Sequence, residues 1–279
     1  MKNKIVLITG SNSGIGKATS IALARLGAHV VMMARNPERG EAARQEVIST
    51  SGNDQVDLML CDLADLESIR RFASEFKEKY DRLDVLINNA GILTGHRQMT
   101  ADGFEYQIGV NHLGHFLLTN LLIDLLKTSA PSRIVIVSSL GHFAGKIHFK
   151  DLFLEKNYNP WKSYFQSKLA TILFGYELSR RLNGTGVTVN CLHPGVVRTR
   201  FAVNRINDRQ NFIMRLSNLI NIPPSAGAET SVYLASSPEV EGVTGKYFVK
   251  KKARASSKRS YDLTVAEKLW KLSEELTGA

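Results

Sequence analysis

The stretch Ser163–Lys168, SYFQSK, sets a tyrosine and a lysine four positions apart, Tyr164 and Lys168. It heads the segment YFQSKLATILFGYELSRRL, whose apolar spacing predicts a helix. On a helix, residues i and i+4 share one face. A tyrosine hydroxyl is a poor acid or base at neutral pH, with an ordinary pKa of about 10. A cation on the same face stabilises the tyrosinate and makes proton transfer accessible. By itself the pair is weak, because so short a pattern arises by chance. Its weight depends on the elements that position it.

Those elements alternate. KIVLITG, AHVVMMAR, QVDLMLCDL, LDVLINNAG, SRIVIVSS and GVTVNCLHPG read as short, continuous apolar strands, with KYFVK as a last short one. Helical segments separate them and carry the usual punctuation, such as Pro37 at a start and Gly27 or Gly52 at a stop. Unbroken apolar strands are buried on both faces, which predicts a mostly parallel sheet with helices on each side. The expected fold is α/β: one doubly wound Rossmann-type domain over residues 1–279, about seven strands, and a C-terminal helix near 265–276.

Candidate ligand-binding residues fall at the predicted carboxyl ends of these strands. The first strand runs into TGSNSGIGKA. There Gly10, Gly14 and Gly16 allow a tight turn and, with Ser11, Asn12, Ser13 and Ile15, bring backbone N–H groups toward a pyrophosphate at a helix start. The second strand ends in ARNPERG. Arg35 stands where NAD enzymes usually carry an acid, with Asn36 beside it and Arg39 four further on. A guanidinium matches a phosphate, so this end favours NADP over NAD, the alternative being two surface arginines. Asp62 and Leu63 end the third strand, where the carboxylate could meet an adenine amino group or cap the next helix. Asn89, Ala90 and Gly91 end the fourth strand, and Ser139 the fifth.

In this order, TGSNSGIG, DL, NNAG, the Asn of GVNHLG, VSS, YFQSK and HPG resemble the short-chain dehydrogenase/reductase family over nearly the full length. NHLGHFLLT, VSSLGHF, IHFKDL, LHPGVVRT and the long gap between Ser139 and Tyr164 are similar to its retinol dehydrogenase-like branch. The resemblance implies a single NADP(H)-binding oxidoreductase domain acting on an apolar aldehyde or ketone and its alcohol. It implies that Tyr164 is the acid or base, that Lys168 holds the nicotinamide ribose and lowers the tyrosine pKa, and that Ser139, rather than Ser138, donates to the substrate oxygen. Asn111 is implied to hold a water in a proton relay. Pro194, Gly195, Val197 and Thr199 are implied to close over the nicotinamide. A substrate lid is expected around 200–224, and a homodimer or homotetramer through the helices near Asn111 and Tyr164. Phe143, Phe149, Trp161, Phe201 and the segment 212–222 are candidate apolar lining.

The remaining features bound the alternatives. The chain has a net charge of +10 and two cysteines, Cys61 and Cys191. The charge points to an anionic ligand or surface. No zinc-finger spacing, RNP-type motif or basic heptad helix supports nucleic-acid binding. His96, Cys61 and the others lack metal-ligand spacing, and His112, His115 and His142 read as packing or capping residues. The opening apolar run is too short for a signal peptide or a membrane span, so the expectation is a cytoplasmic protein without a transmembrane segment. The basic stretch KKKARASSKR at 250–259 reads as a solvated loop. Outside the enzyme reading stands a cofactor-binding regulatory or scaffold protein with lapsed catalysis.

Overall fold

Side chains alternate across a strand, so an apolar run feeds two cores at once. In β1 (Ile5–Thr9), Leu7 enters one core while Val6 and Ile8 enter the other. The computed structural model describes residues 1–195 and 222–279. After β1 come α1 (Gly14–Arg25), β2 (His29–Ala34), α2 (Pro37–Ser51), β3 (Val56–Leu60), α3 (Leu66–Lys79) and β4 (Val85–Asn88). A helix then runs through α4 (Tyr106–Ile108), one π-helical turn (Gly109–Leu113) and α5 (Gly114–Thr128). β5 (Ser132–Val137), a 3₁₀ turn (Leu140–Ala144), α6 (Pro160–Arg181) and β6 (Val187–His193) follow. Beyond residue 221 lie α7 (Pro224–Ser236), β7 (Lys246–Val249), β8 (Lys252–Arg254) and α8 (Leu263–Thr277).

The sheet order is β3-β2-β1-β4-β5-β6-β7-β8. All neighbours are parallel except β7 and β8. The direction of winding reverses between β1 and β4, and such a switch point opens a crevice at the carboxyl edge of the sheet. One face packs on α3, α5 and α6 through Phe72, Phe116 and Phe174; the other packs on α1, α2 and α7 through Leu23, Val47 and Leu234.

The fold is the doubly wound domain expected, with one strand more. The extra strand, β8, lies inside the basic stretch read as a loop. Lys250 and Lys251 adopt left-handed backbone angles, φ 50° and 62°, and turn the chain back on β7 in a two-residue hairpin. Lysine at such positions carries no turn signal, so nothing local in the sequence marks the hairpin.

α8 lies across α5 and α6. Trp270 packs edge-on against Phe116 at 4.9 Å and stacks with Phe174 at 5.8 Å. His112, in the π turn, bonds Ser273 of α8 at 2.9 Å. Among the described residues, no helix is long and apolar enough to cross a membrane.

Among the described residues, four histidines sit buried: His112, His115, His142 and His193. Burial disfavours the imidazolium and pushes His112 from 6.5 down to about 3, His115 and His193 down to about 4, and His142 in the same direction. Below pH 6.5 the unfolded chain binds protons at these sites that the folded chain refuses. Stability is therefore complete above that pH and falls as pH drops toward 4, by ~1 kcal/mol per unit for each of His112, His115 and His193, with His142 adding in the same direction. Urea unfolding at pH 7 and pH 5 is expected to show a marked loss, before the carboxylates of Asp57 and Asp84, whose pKa values are lowered, begin to protonate. Equal stability at the two pH values would mean these imidazoles are not held neutral.

Candidate active site

The site is built from strand ends. Gly10 follows β1 with φ 64°, and its amide and that of Ser11 donate to the Met33 carbonyl of β2. Gly10 faces Ala90, where a Cβ would come within 2.9 Å of that residue's Cβ. At Gly16 a Cβ would stand 2.4 Å from the Gly10 carbonyl oxygen. Any side chain at Gly16 would thus force the turn away from the start of α1. Ser13 precedes α1 without a side-chain cap, and the first turn of the helix holds no acid. Its leading N–H groups are left facing the crevice with positive character.

Thr9 ties this loop to β4. Its hydroxyl oxygen accepts from the amides of Asn89 and Ala90, both at 2.9 Å, and meets His115 Nε2 at 2.9 Å. His115 Nδ1 faces the Asn111 carbonyl at 3.3 Å. A carbonyl only accepts, so Nδ1 carries the proton, Nε2 accepts, and the Thr9 hydroxyl donates to it. Asn89 completes the knot, its amide nitrogen donating to the Thr9 carbonyl at 2.8 Å.

At the end of β2, Arg35 is 63% exposed in its side chain, donates to the Tyr106 hydroxyl at 2.7 Å and lies 3.6 Å from Asp62. Asn36 caps α2 by accepting from the Arg39 amide at 2.8 Å, and Arg39 is exposed. Asp62 is not the cap of α3; Asp65 takes that place, accepting from the amides of Glu67 and Ser68. Asp62 instead accepts from the Ala64 amide at 3.0 Å, while Leu63 is buried in the core.

Tyr164 and Lys168 lie on α6, whose start is set by Asn159, accepting from the Lys162 amide, and by Pro160 in the first turn. Lys168 Nζ stands 5.9 Å from the centre of the Tyr164 ring. The Ser139 side chain lies near enough to the Tyr164 hydroxyl to favour its ionised form. Burial raises the Tyr164 pKa, and Ser139 pulls it partly back. Burial lowers Lys168 to about 8. Ser138 points elsewhere, donating to the Lys168 carbonyl at 2.9 Å. Gly141 lies flat against the tyrosine: a Cβ there would stand 3.2 Å from Tyr164 Cε1.

Asn111 sits in the π turn, buried. Its Oδ1 accepts from the Ile92 amide at 2.8 Å, and its Nδ2 donates to the Ile92 carbonyl at 3.0 Å and to Ser167 Oγ at 2.9 Å. Both amide hydrogens are thus engaged. The side chain fastens the segment after β4 to α6.

The profile of the family described as short chain dehydrogenase matches residues 4–210. The chain belongs to the short-chain dehydrogenase family. The mouse and human proteins named retinol dehydrogenase 14 (Mus musculus, Homo sapiens) are each 50% identical to it, with 100% of this chain and 87% of the relative aligned. Human retinol dehydrogenase 13 is 46% identical across 99% of this chain and 85% of its own length. A crystal structure of an uncharacterised protein from Mycobacterium paratuberculosis superposes with TM-score 0.81 at 37% identity, covering 100% of this chain and 94% of that one. Actinorhodin polyketide ketoreductase, crystallised with NADPH, superposes with TM-score 0.70 at 25% identity, covering 89% of this chain and 97% of the other. This chain is thus a retinol dehydrogenase-like short-chain dehydrogenase, an oxidoreductase of a family that binds a nicotinamide cofactor.

This short-chain dehydrogenase gathers Gly10, Arg35, Asp62, Asn89 and Ser139 along one edge of its sheet, with Tyr164 and Lys168 beside Ser139. Pro194 and Gly195 follow β6 on the same edge; Gly195 has φ 91°, and a Cβ there would stand 2.7 Å from Ile222 Cδ1. Val197, Thr199, Phe201 and nearly all of the expected lid lie outside the described residues. Phe143 is exposed beside the Ser139 turn and Trp161 packs on Phe165, whereas Phe149 turns to α8 and meets the Lys268 ammonium at 4.6 Å. Among the described residues no cluster of histidine, cysteine and acidic side chains could hold a metal.

Sequence reasoning passes over Thr9 and Tyr106. Thr9 carries no local signal, being one threonine at a strand end. Thr9→Val keeps the shape, leaves the Ala90 amide and an imidazole nitrogen without a partner, and leaves the Asn89 amide only its bond to the Ile87 carbonyl. The expected result is a loss of about 2 kcal/mol or more in unfolding free energy, together with weaker dinucleotide binding. A change below ~0.5 kcal/mol in a urea titration would show that the loop does not depend on this hydroxyl.

Proposed function

We propose that this short-chain dehydrogenase uses NADP(H) to interconvert an apolar aldehyde or ketone and its alcohol, with Tyr164 moving the proton. The observation that carries the reading is the placing of Tyr164 near Ser139 at the carboxyl edge of the sheet, with the Lys168 ammonium 5.9 Å from the tyrosine ring. Two neighbouring hydroxyls can both turn toward one carbonyl oxygen.

The residues present fit a dinucleotide. Lys168 is buried, yet among the described residues its ammonium makes one hydrogen bond, to the Val137 carbonyl at 3.3 Å. A buried ammonium with unspent donors suits ribose hydroxyls. The loop Gly10–Gly16 and the uncapped start of α1 suit a pyrophosphate. Arg35, with Asn36 and Arg39, would take the adenosine phosphate, Asp62 and Leu63 the adenine side, and Asn89, Ala90 and Gly91 the middle of the crevice. Pro194 and Gly195, with Val197 and Thr199, would cover the nicotinamide. The cofactor supplies the hydride when bound.

The protein's part is orientation and proton transfer. Tyr164 holds its proton at neutral pH, the state a general acid needs for reduction, and gives it to the substrate oxygen. Ser139 donates a second hydrogen bond to the same oxygen, where charge grows during the reaction. Lys168 holds its charge beside the tyrosine and favours the tyrosinate left behind. Asn111 holds the α6 contact through Ser167; a water relay beyond Lys168 would run along its carbonyl side rather than its spent amide.

The NADPH-bound ketoreductase neighbour supports the choice of NADP, and the retinol dehydrogenase relatives support an apolar substrate. The two cysteines are free and buried, and burial pushes Cys61 to about 12, so both fit a reducing compartment such as the cytoplasm. A homodimer or homotetramer would use surface of α5 and α6 that α8 leaves uncovered. Light scattering tests this, and a mass near 31 kDa would overturn it. The reaction itself is tested by a panel of aldehydes, ketones and retinoids with NADPH and NADH, following cofactor oxidation. Reduction of apolar carbonyls with NADPH is expected. No turnover of any carbonyl would sink the reading.

A further inference from the structure

The 3₁₀ turn after β5 carries Ser139 at its head and His142 within it. Ser139 Oγ accepts from the Gly141 amide at 3.1 Å, which leaves its hydrogen free to donate. His142 is fully buried and bonded at both ring nitrogens. Nδ1 lies 2.6 Å from the Ser139 carbonyl oxygen, and Nε2 lies 3.1 Å from the Ser257 amide. The carbonyl can only accept and the amide can only donate. Nδ1 therefore holds the proton and Nε2 is bare, and only this neutral tautomer makes both bonds.

Ser257 belongs to the segment between β8 and α8, and that segment grips the turn again further along. Arg259 donates to the Gly145 carbonyl at 2.8 Å, one residue past the turn. Ser256 Oγ bonds the Tyr176 hydroxyl at 2.7 Å, and Tyr176 lies on α6 with Tyr164 and Lys168. The Tyr247 ring of β7 stands edge-on to the imidazole at 5.0 Å. The basic stretch is therefore not merely a solvated face. Its lysines reach outward, while Ser256, Ser257 and Ser260 are buried and Arg259 ties down the serine turn.

We propose that His142 is a positioning residue for Ser139, joining the serine's carbonyl to the C-terminal segment so that its hydroxyl stays aimed at the Tyr164 hydroxyl. This rests on the reading of Ser139 as a donor to the substrate oxygen. The bond that matters for turnover is Nδ1–H to the Ser139 carbonyl. The Nε2 bond holds the ring in the tautomer that can make it.

Two substitutions separate the nitrogens. His142→Asn places an amide near the Nδ1 position, and His142→Gln places one near the Nε2 position. With the best apolar aldehyde from the panel, His142→Gln is expected to lower kcat roughly tenfold or more, as a misplaced donor does, with the KM for NADPH unchanged. His142→Asn is expected to recover turnover to within about threefold of wild type. The double variant His142→Gln with Ser139→Ala should be no slower than Ser139→Ala alone, because the histidine acts through the serine. Nitrogen NMR of the histidine-labelled wild-type protein at neutral pH should show His142 protonated on Nδ1, a readout that needs no variant to fold. Four outcomes would overturn the proposal: an Nε2–H tautomer, a His142→Gln variant as fast as wild type, an Asn variant no faster than the Gln variant, or a double variant slowed by the product of the two single effects. If Ser139→Ala leaves turnover intact, the reading of Ser139 itself fails and this proposal fails with it. If Ser139→Ala is slow but His142→Gln is not, only the positioning role is lost.

Discussion

Tyr164→Phe is expected to lower turnover by about a hundredfold to ten-thousandfold while leaving NADPH binding close to wild type. The substitution removes one oxygen and little else. The ring keeps its neighbours, Gly141 on one side and Phe165 at 6.2 Å. Lys168 stays in place, because its ammonium bonds the Val137 carbonyl rather than the tyrosine. What disappears is the hydroxyl near Ser139, and with it the proton that reduction requires. The pH dependence has a definite sign. Burial raises the tyrosine pKa, so the proton is present through neutral pH and reduction should hold there and fall on the alkaline side. Lys168, lowered to about 8 by burial, loses its charge on that same side and sharpens the fall. Oxidation of the alcohol, which needs the base form, should rise with pH until Lys168 deprotonates. Steady-state kinetics in both directions, with NADPH binding measured by fluorescence, provides the check. Full turnover by Tyr164→Phe on a verified substrate would refute the mechanism and return the scaffold reading to consideration.

Arg35→Asp is expected to weaken NADPH binding by about tenfold to a hundredfold or more, the equivalent of ~1.5–3 kcal/mol for a charge-assisted hydrogen bond. NADH binding should hold or improve, since an acid at the end of β2 suits ribose hydroxyls. Arg35 is exposed and, among the described residues, is held only by Tyr106 and, at 3.6 Å, by Asp62, so it is available to a phosphate at little structural cost. The new carboxylate would stand near Asp62, and the like charges would repel a 2′-phosphate further. Tyr106, half-buried, loses its donor in the variant. Titration of both cofactors into both proteins separates the outcomes. Equal affinity of the wild type for NADH and NADPH would show that Arg35 has no phosphate to meet.

Much of this site is legible in the order of the residues. Apolar runs closed by glycine or by polar residues mark the strands, and a parallel sheet sends the ends of all its strands to one edge. Gly10, Arg35, Asp62, Asn89 and Ser139 can therefore be placed together from their position at the ends of such runs; helical spacing puts Tyr164 and Lys168 on one face, and the family resemblance brings that face to the same edge. These are local properties: burial periodicity and backbone permissiveness are written in neighbouring residues. The tertiary structure alone decided the rest. That Asp65 rather than Asp62 caps α3, that the Asn111 amide is spent on Ile92 and Ser167, and that Phe149 faces α8 all depend on which partners the fold brings near. The Thr9–His115 contact spans 106 positions and the His142–Ser257 contact 115. In each case a single polar residue in an apolar setting meets another that is far away in the chain. No period, spacing or composition records such a meeting, because a buried hydrogen bond constrains geometry in space and leaves the residues between its partners free.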